Sequence, residues 1–141
     1  MADRVLVPYD GSPLADEALE FTLERFPDAA ITALYVIEIP AQHVSLLDGP
    51  ELQLPVTDRA RSYATMILEE AIELAAAHDR EIATTLEAGK PEHRIVARVS
   101  DDAFDLIVMG SHGRDGLSRL LLGSVAEAVV RRAPVPVVVV R

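Results

Sequence analysis

Leu106-Ile-Val-Met-Gly-Ser-His-Gly113, followed after nine further residues by Gly123-Ser124, is the stretch that decides the fold. Residues 105–109 form a short run that is apolar on both faces. Such a run reads as a strand buried on both sides. It breaks at once into a glycine-punctuated segment, 110–122. Ser124 to Arg132 then reads as a helix, with Arg131 and Arg132 set against its negative C-terminal end. Strand, glycine turn and helix in succession are the building unit of a parallel α/β sheet.

The same alternation runs through the rest of the chain. Arg4-Val-Leu-Val-Pro8 is a short buried strand, and Tyr9-Asp-Gly-Ser12 is the turn after it. Ser12 offers an N-cap and Pro13 a first helical position. Leu14, Ala18, Leu19, Leu23 and Phe26 recur at helical spacing until Pro27 closes that helix. Residues 31–37 make a second apolar strand. A long connection, 38–56, carries three prolines and one glycine. Connections of that length are often functional, and its leucines and valines suit a lid over the core. Thr57 or Asp58 caps the longest helix, which runs to about His78 with Ala60, Ala64, Ile67, Leu68, Ala71, Ile72 and Ala75 as its apolar stripe. Residues 81–88 read as a half-polar third strand of the kind found at sheet edges. Pro91 opens a helix carrying Ile95, Val96 and Val99. The run from Val135 to Val140 is the fifth strand. The order βαβαβαβαβ implies right-handed crossovers and a parallel sheet with helices on both faces. The chain reads as one domain over residues 1–141.

Composition narrows the function. With 23 acidic against 13 basic residues, the formal net charge is −10. That surface repels nucleic-acid backbones and anionic membranes, so neither is an expected partner. Lys90 is the only lysine, and the other bases are arginines. An acid-rich, lysine-poor surface suits a high-salt cytoplasm, and it equally suits an ordinary acidic protein from a GC-rich genome. There is no cysteine, which excludes disulfides and makes a cytoplasmic location the default. No stretch reads as a signal peptide or a membrane span.

In doubly wound sheets, ligands sit beyond the carboxyl ends of the strands. Two turns are chemically loaded there: Asp10-Gly11-Ser12 and Gly110-Ser111-His112-Gly113. With Gly123-Ser124 the second gives G-x2-G-x9-G-S. Glycines after a buried strand let a ligand approach the backbone, and a helix start presents free N–H groups to anionic oxygen. The full spacing points to phosphate; glycines serving only turns and close packing are the alternative. No Walker A loop and no dinucleotide fingerprint are present. Asp10 can accept two ribose hydroxyls, or simply close a turn. His112 could donate to phosphate or act as acid or base, but no second residue pairs with it at an obvious spacing, and a structural role is expected. Arg114 and Arg119 read equally as phosphate clamps or solvated loop residues. His43, His78 and His93 are expected to be exposed. A Mg2+ or Mn2+ ion is expected to ride on a triphosphate with few protein ligands.

Asp10-Gly-Ser12, Val-Met-Gly-Ser-His-Gly at 108–113 and Leu-Gly-Ser-Val at 122–125 resemble the signatures of the universal stress protein family, in its nucleotide-binding branch. The resemblance covers essentially the whole chain. It implies a five-stranded parallel sheet in order 3-2-1-4-5, with ATP as ligand. By position it implies Asp10 at the ribose and the backbone of Val36 at adenine, with Pro8 and Tyr9 on the same wall. Met109 and Gly110 would lie beside sugar and base, and Gly113, Gly123, Ser124 and Val125 at the phosphates. In that order the last strand is an edge, yet Pro134-Val-Pro-Val-Val-Val-Val140 is wholly apolar, whereas natural edges are charged, short or covered. Pairing with a second copy would bury it in a two-fold homodimer. The leading functional expectation is an ATP-binding stress-response or regulatory protein without a catalytic residue. A slow ATP hydrolase or nucleotidyl transferase using the same pocket, and a dimeric interaction module with a vestigial pocket, are the alternatives.

Overall fold

The computed structural model describes residues 2–39, 57–112 and 122–141. Within them strands and helices alternate: β1 (Arg4–Pro8), α1 (Pro13–Arg25), β2 (Ala30–Glu38), α2 (Asp58–Ala77), β3 (Ala83–Gly89), α3 (Pro91–Asp101), β4 (Leu106–Gly110), α4 (Ser124–Arg132) and β5 (Val137–Val140). The strands form one sheet in order β3-β2-β1-β4-β5. Every neighbouring pair is parallel. This is the expected order and the expected α/β class.

The two-residue period of the strands sorts the core into two layers. Val5 and Val7 of β1, Ile31 and Ala33 of β2, and Leu106 and Val108 of β4 point to one face. There they meet Ala15, Ala18, Leu19 and Leu23 of α1 and Ile67, Leu68, Ala71 and Ala75 of α2. Leu6, Leu34, Ile107 and Met109 point to the other face, against Ile95 and Val99 of α3 and Ala126 and Val129 of α4. The central strands are therefore buried on both sides, which is why β4 is a continuous apolar run. The edge strands differ. β3 exposes Ala83 and Thr84, and every residue of β5 is half-buried.

Local chemistry sets the helix ends. Ser12 Oγ accepts from the Ala15 N–H at 3.3 Å, and Thr57 Oγ1 accepts from the Ala60 N–H at 3.1 Å. Thr57, rather than Asp58, is thus the cap of α2. At the far end of α1, the Arg80 guanidinium donates to the carbonyls of Leu23, Phe26 and Ala29. Of these, Leu23 is a last-turn carbonyl that the helix end leaves without an intrahelical partner.

Several expectations shift. β3 starts at Ala83 rather than at 81, and β4 runs one residue later than 105–109. β5 starts at Val137 rather than at Val135. Pro136 has no N–H to give the ladder; its carbonyl accepts from the Ile107 N–H at 3.1 Å instead. Ile72 is not part of the α2 stripe: it is 44% exposed, while Ala71 beside it is fully buried. His78 is half-buried, with Nδ1 3.1 Å from the Leu74 carbonyl, rather than exposed. His93 is exposed as expected. His43 and most of the connection 38–56 lie outside the described residues.

Candidate functional site

α1 leaves β1 toward one face of the sheet, and α4 leaves β4 toward the other. β1 and β4 are neighbours, so the chain directions diverge between their carboxyl ends. That divergence opens a crevice where doubly wound folds take ligands. A cavity of about 440 Å³ occupies it, a volume within the range of small-molecule sites.

One wall comes from the end of β1. Pro8, Tyr9 and Asp10 line the cavity, with Val36 from the adjacent β2. The Tyr9 N–H donates to the Leu34 carbonyl at 2.8 Å, which continues the ladder to the rim. The Tyr9 phenol donates to the Asp16 carboxylate. Burial first, and then Asp16, push its pKa well above the usual phenol range. Asp10 Oδ1 accepts from the Ser12 N–H at 2.9 Å. Its turn-closing role is therefore real, and the same residue also lines the cavity.

The floor is Met109 and Gly110 at the end of β4. A Cβ on Gly110 would lie 2.8 Å from the Leu14 Cβ and 3.2 Å from the Leu14 carbonyl carbon. A side chain there would push α1 off the sheet. The opposite wall is Gly123, Ser124 and Val125. The Gly123 N–H donates to the Ser111 carbonyl at 2.8 Å. A Cβ on Gly123 would lie only 2.7 Å from that same oxygen, so only glycine lets the start of α4 close onto the β4 turn. Gly123 is the N-cap of α4 and supplies no side-chain hydrogen bond to it. The first N–H groups of this helix therefore need an external acceptor.

Ser111 and His112 lie between the floor and this wall, buried to 1% and 8% exposure. Ser111 Oγ is 3.1 Å from His112 Nδ1. His112 is thus packed, as expected, and it does have a neighbour at hydrogen-bonding distance, which the spacing did not reveal. Its Nε2 is a buried polar atom without a partner. All the anticipated site residues among the described ones therefore meet at one cavity. Gly113, Arg114 and Arg119 lie outside the described residues.

The cavity also takes Tyr35, Tyr63 and Ile95, which were not anticipated. Tyr35 stands beside Val36 at the end of β2, where the carboxyl-end rule could have found it. Tyr63 comes from α2 and meets Tyr35 edge-on, with ring centroids 6.4 Å apart. Ile95 comes from α3. Only tertiary packing brings those two residues in. Among the described residues, Glu20, Glu24 and His78 gather three possible metal-ligand atoms within 4.8 Å of one another. None of the three lines the cavity, and a His78–Glu24 contact of 3.8 Å accounts for much of the grouping. No helix among the described residues is long and apolar enough to cross a membrane.

The family model of the universal stress protein family matches residues 1–141. A universal stress protein of Methanocaldococcus jannaschii is 32% identical over 147 residues, covering 98% of this chain and 81% of the relative. Among solved structures, the universal stress protein UspA from Lactobacillus plantarum matches with a TM-score of 0.77 at 26% identity, covering 99% of this chain and 97% of that one. A universal stress protein in complex with cAMP has a TM-score of 0.71 at 24% identity, with coverage of 99% and 97%. A family protein from Arabidopsis thaliana with AMP bound has a TM-score of 0.68 at 22% identity, with coverage of 98% and 90%. At those last two identities the likeness carries the fold.

Proposed function

This chain belongs to the universal stress protein family, and on that premise we propose that it binds an adenine nucleotide, ATP in its full form, in the cavity between β1 and β4. The observation that carries the proposal is the uncapped N-terminus of α4, brought onto the β4 turn by Gly123. A helix start without a capping side chain suits anionic oxygen, and the G-x2-G-x9-G-S spacing points the same way. Ser124 adds a hydroxyl donor. In this reading Gly113, Gly123, Ser124 and Val125 hold the phosphates, Asp10 meets the ribose, and the Val36 backbone meets the base. Met109 and Gly110 lie beside the sugar, and Pro8 and Tyr9 complete the wall. The fold neighbours that hold cAMP and AMP support the adenine nucleotide class. A Mg2+ or Mn2+ ion enters as the counter-ion of the triphosphate. The output is the nucleotide-bound population of a regulatory, stress-response protein.

The proposal extends to assembly. β5 ends the sheet and consists of four valines, each half-buried. A second copy pairing along it would cover an apolar edge that carries no charged side chain.

Ser124→Pro tests the pocket cleanly. Position N1 tolerates proline, and Gly123, at φ −68° and ψ 162°, already has the backbone that precedes one. The substitution removes one N–H and the hydroxyl while leaving the helix intact. ATP affinity, read by calorimetric titration, should fall at least about tenfold. Unchanged affinity in the variant, or no binding by the wild type, would refute the reading.

A further inference from the structure

Among the described residues, His112 carries a buried polar atom that the protein leaves unsatisfied. The residue is 8% exposed, and its Nε2 makes no hydrogen bond. A buried donor or acceptor left without a partner is unfavourable to a fold. Burial and the contact with the Ser111 hydroxyl hold the ring in place. The Ser111 N–H donates to the Val140 carbonyl, and the Ser111 carbonyl accepts from the Gly123 N–H, both at 2.8 Å. Those two bonds pin the residue that precedes His112 between β5 and α4.

The Ser111 hydroxyl is 3.1 Å from Nδ1 and can either donate to it or accept from it. If the hydroxyl donates to Nδ1, one buried hydrogen remains unspent, the one on Nε2. If Nδ1–H donates instead, both the hydroxyl hydrogen and the Nε2 lone pair are left over. The first arrangement costs less, so Nε2 carries the proton. The direction in which it looks follows from Gly123. The ring's Cδ2, which is bonded to Nε2, is 3.3 Å from where a Gly123 Cβ would stand. The ring edge that carries Nε2 thus lies beside Gly123, the N-cap of α4, and His112 lines the same cavity as the start of that helix. Donors from two independent sources thus border one cavity, and an anionic oxygen is the acceptor that suits both best.

We infer that Ser111 and His112 form a phosphate-reading pair, in which Ser111 holds the ring as the Nε2–H tautomer and that N–H donates to a phosphate oxygen over the start of α4. The inference rests on the nucleotide reading above and sharpens it. A nucleoside without phosphate leaves the His112 donor unpaired, so the site selects phosphorylated ligands through this residue as well as through the helix.

The test titrates ATP and adenosine into wild type, His112→Phe and His112→Gln, with melting curves to verify folding. ATP affinity should fall about tenfold or more in His112→Phe while adenosine affinity stays within about twofold. His112→Gln, which returns an N–H donor, should recover most of the loss. Wild-type ATP affinity in His112→Phe overturns the inference and leaves the nucleotide reading standing; a wild type that binds neither ligand overturns both. Ring-nitrogen NMR of 15N-histidine-labelled wild type needs no variant to fold. A protonated Nε2 whose proton signal moves with ATP but not with adenosine is the expected result. A protonated Nδ1, or a signal indifferent to ATP, overturns the inference.

Discussion

Asp79 and Ala103 hold left-handed backbone, with φ of 56° and 55°. Each follows the cap of a helix. The Arg80 N–H donates to the Ala75 carbonyl at 2.9 Å, and the Phe104 N–H to the Val99 carbonyl at 3.3 Å. These are the six-to-one bonds of a Schellman ending. Glycine usually takes the left-handed position, because a Cβ there costs roughly 1–2 kcal/mol. Here neither position is glycine, so the ends of α2 and α3 had no sequence marker and could be placed only approximately. Ala103 is exposed and packs little. Ala103→Gly should therefore relieve the strain, less glycine's own entropy cost of about 0.4–1 kcal/mol, and raise the urea midpoint at unchanged slope. A lowered midpoint would show that the conformation is not strained. The site was more legible than these caps. Gly110 and Gly123 stand out because close backbone approach tolerates no other residue, and the apolar runs before them say where they lie. The Ser111–His112 contact was invisible, since neighbours in sequence do not announce that their side chains meet.

At the scale of elements, apolar period and capping residues carried most of the information. Ser12-Pro13 marked the start of α1 because the hydroxyl and the missing N–H each do one specific job there. The interior of the sheet was equally plain, since only strands buried on both faces need continuous apolar residues. Ile72 misled because helical spacing alone does not say how wide the buried stripe is, and α2 presents Ala71 to the sheet instead. Arg80 carried no signal at all, although it ties three carbonyls between the end of α1 and the start of β2 to the entrance of β3. Arg80→Met, which keeps much of the aliphatic stem, should destabilise the fold by about 1–3 kcal/mol. It should also speed amide exchange at Phe26 and Ala29 before other α1 positions. Uniform exchange and an unchanged melting temperature would mean that solvent replaces those bonds at no cost.

For the molecule as a whole, strand–helix alternation forces a parallel sheet, and a sheet whose chain leaves β1 and β4 on opposite faces has its crevice between them. The position of the crevice thus follows from topology, while the cavity's Tyr63 and Ile95 follow only from how α2 and α3 pack. Assembly is the other property of this scale. Among the valines of β5, Val139 is the one outside both core clusters. Val139→Glu should leave the monomer folded and set like charges against each other across a two-fold edge, so light scattering should show a dimer for wild type and a monomer for the variant. A monomeric wild type would remove the proposed interface. The central claim concerns the crevice itself, and backbone amide NMR of 15N-labelled protein during an ATP titration tests it most directly. The account predicts saturable shifts that are largest at Gly123, Ser124 and Val125, with smaller ones at Asp10 and Gly110. Shifts centred elsewhere, or none at saturating ATP, would contradict it.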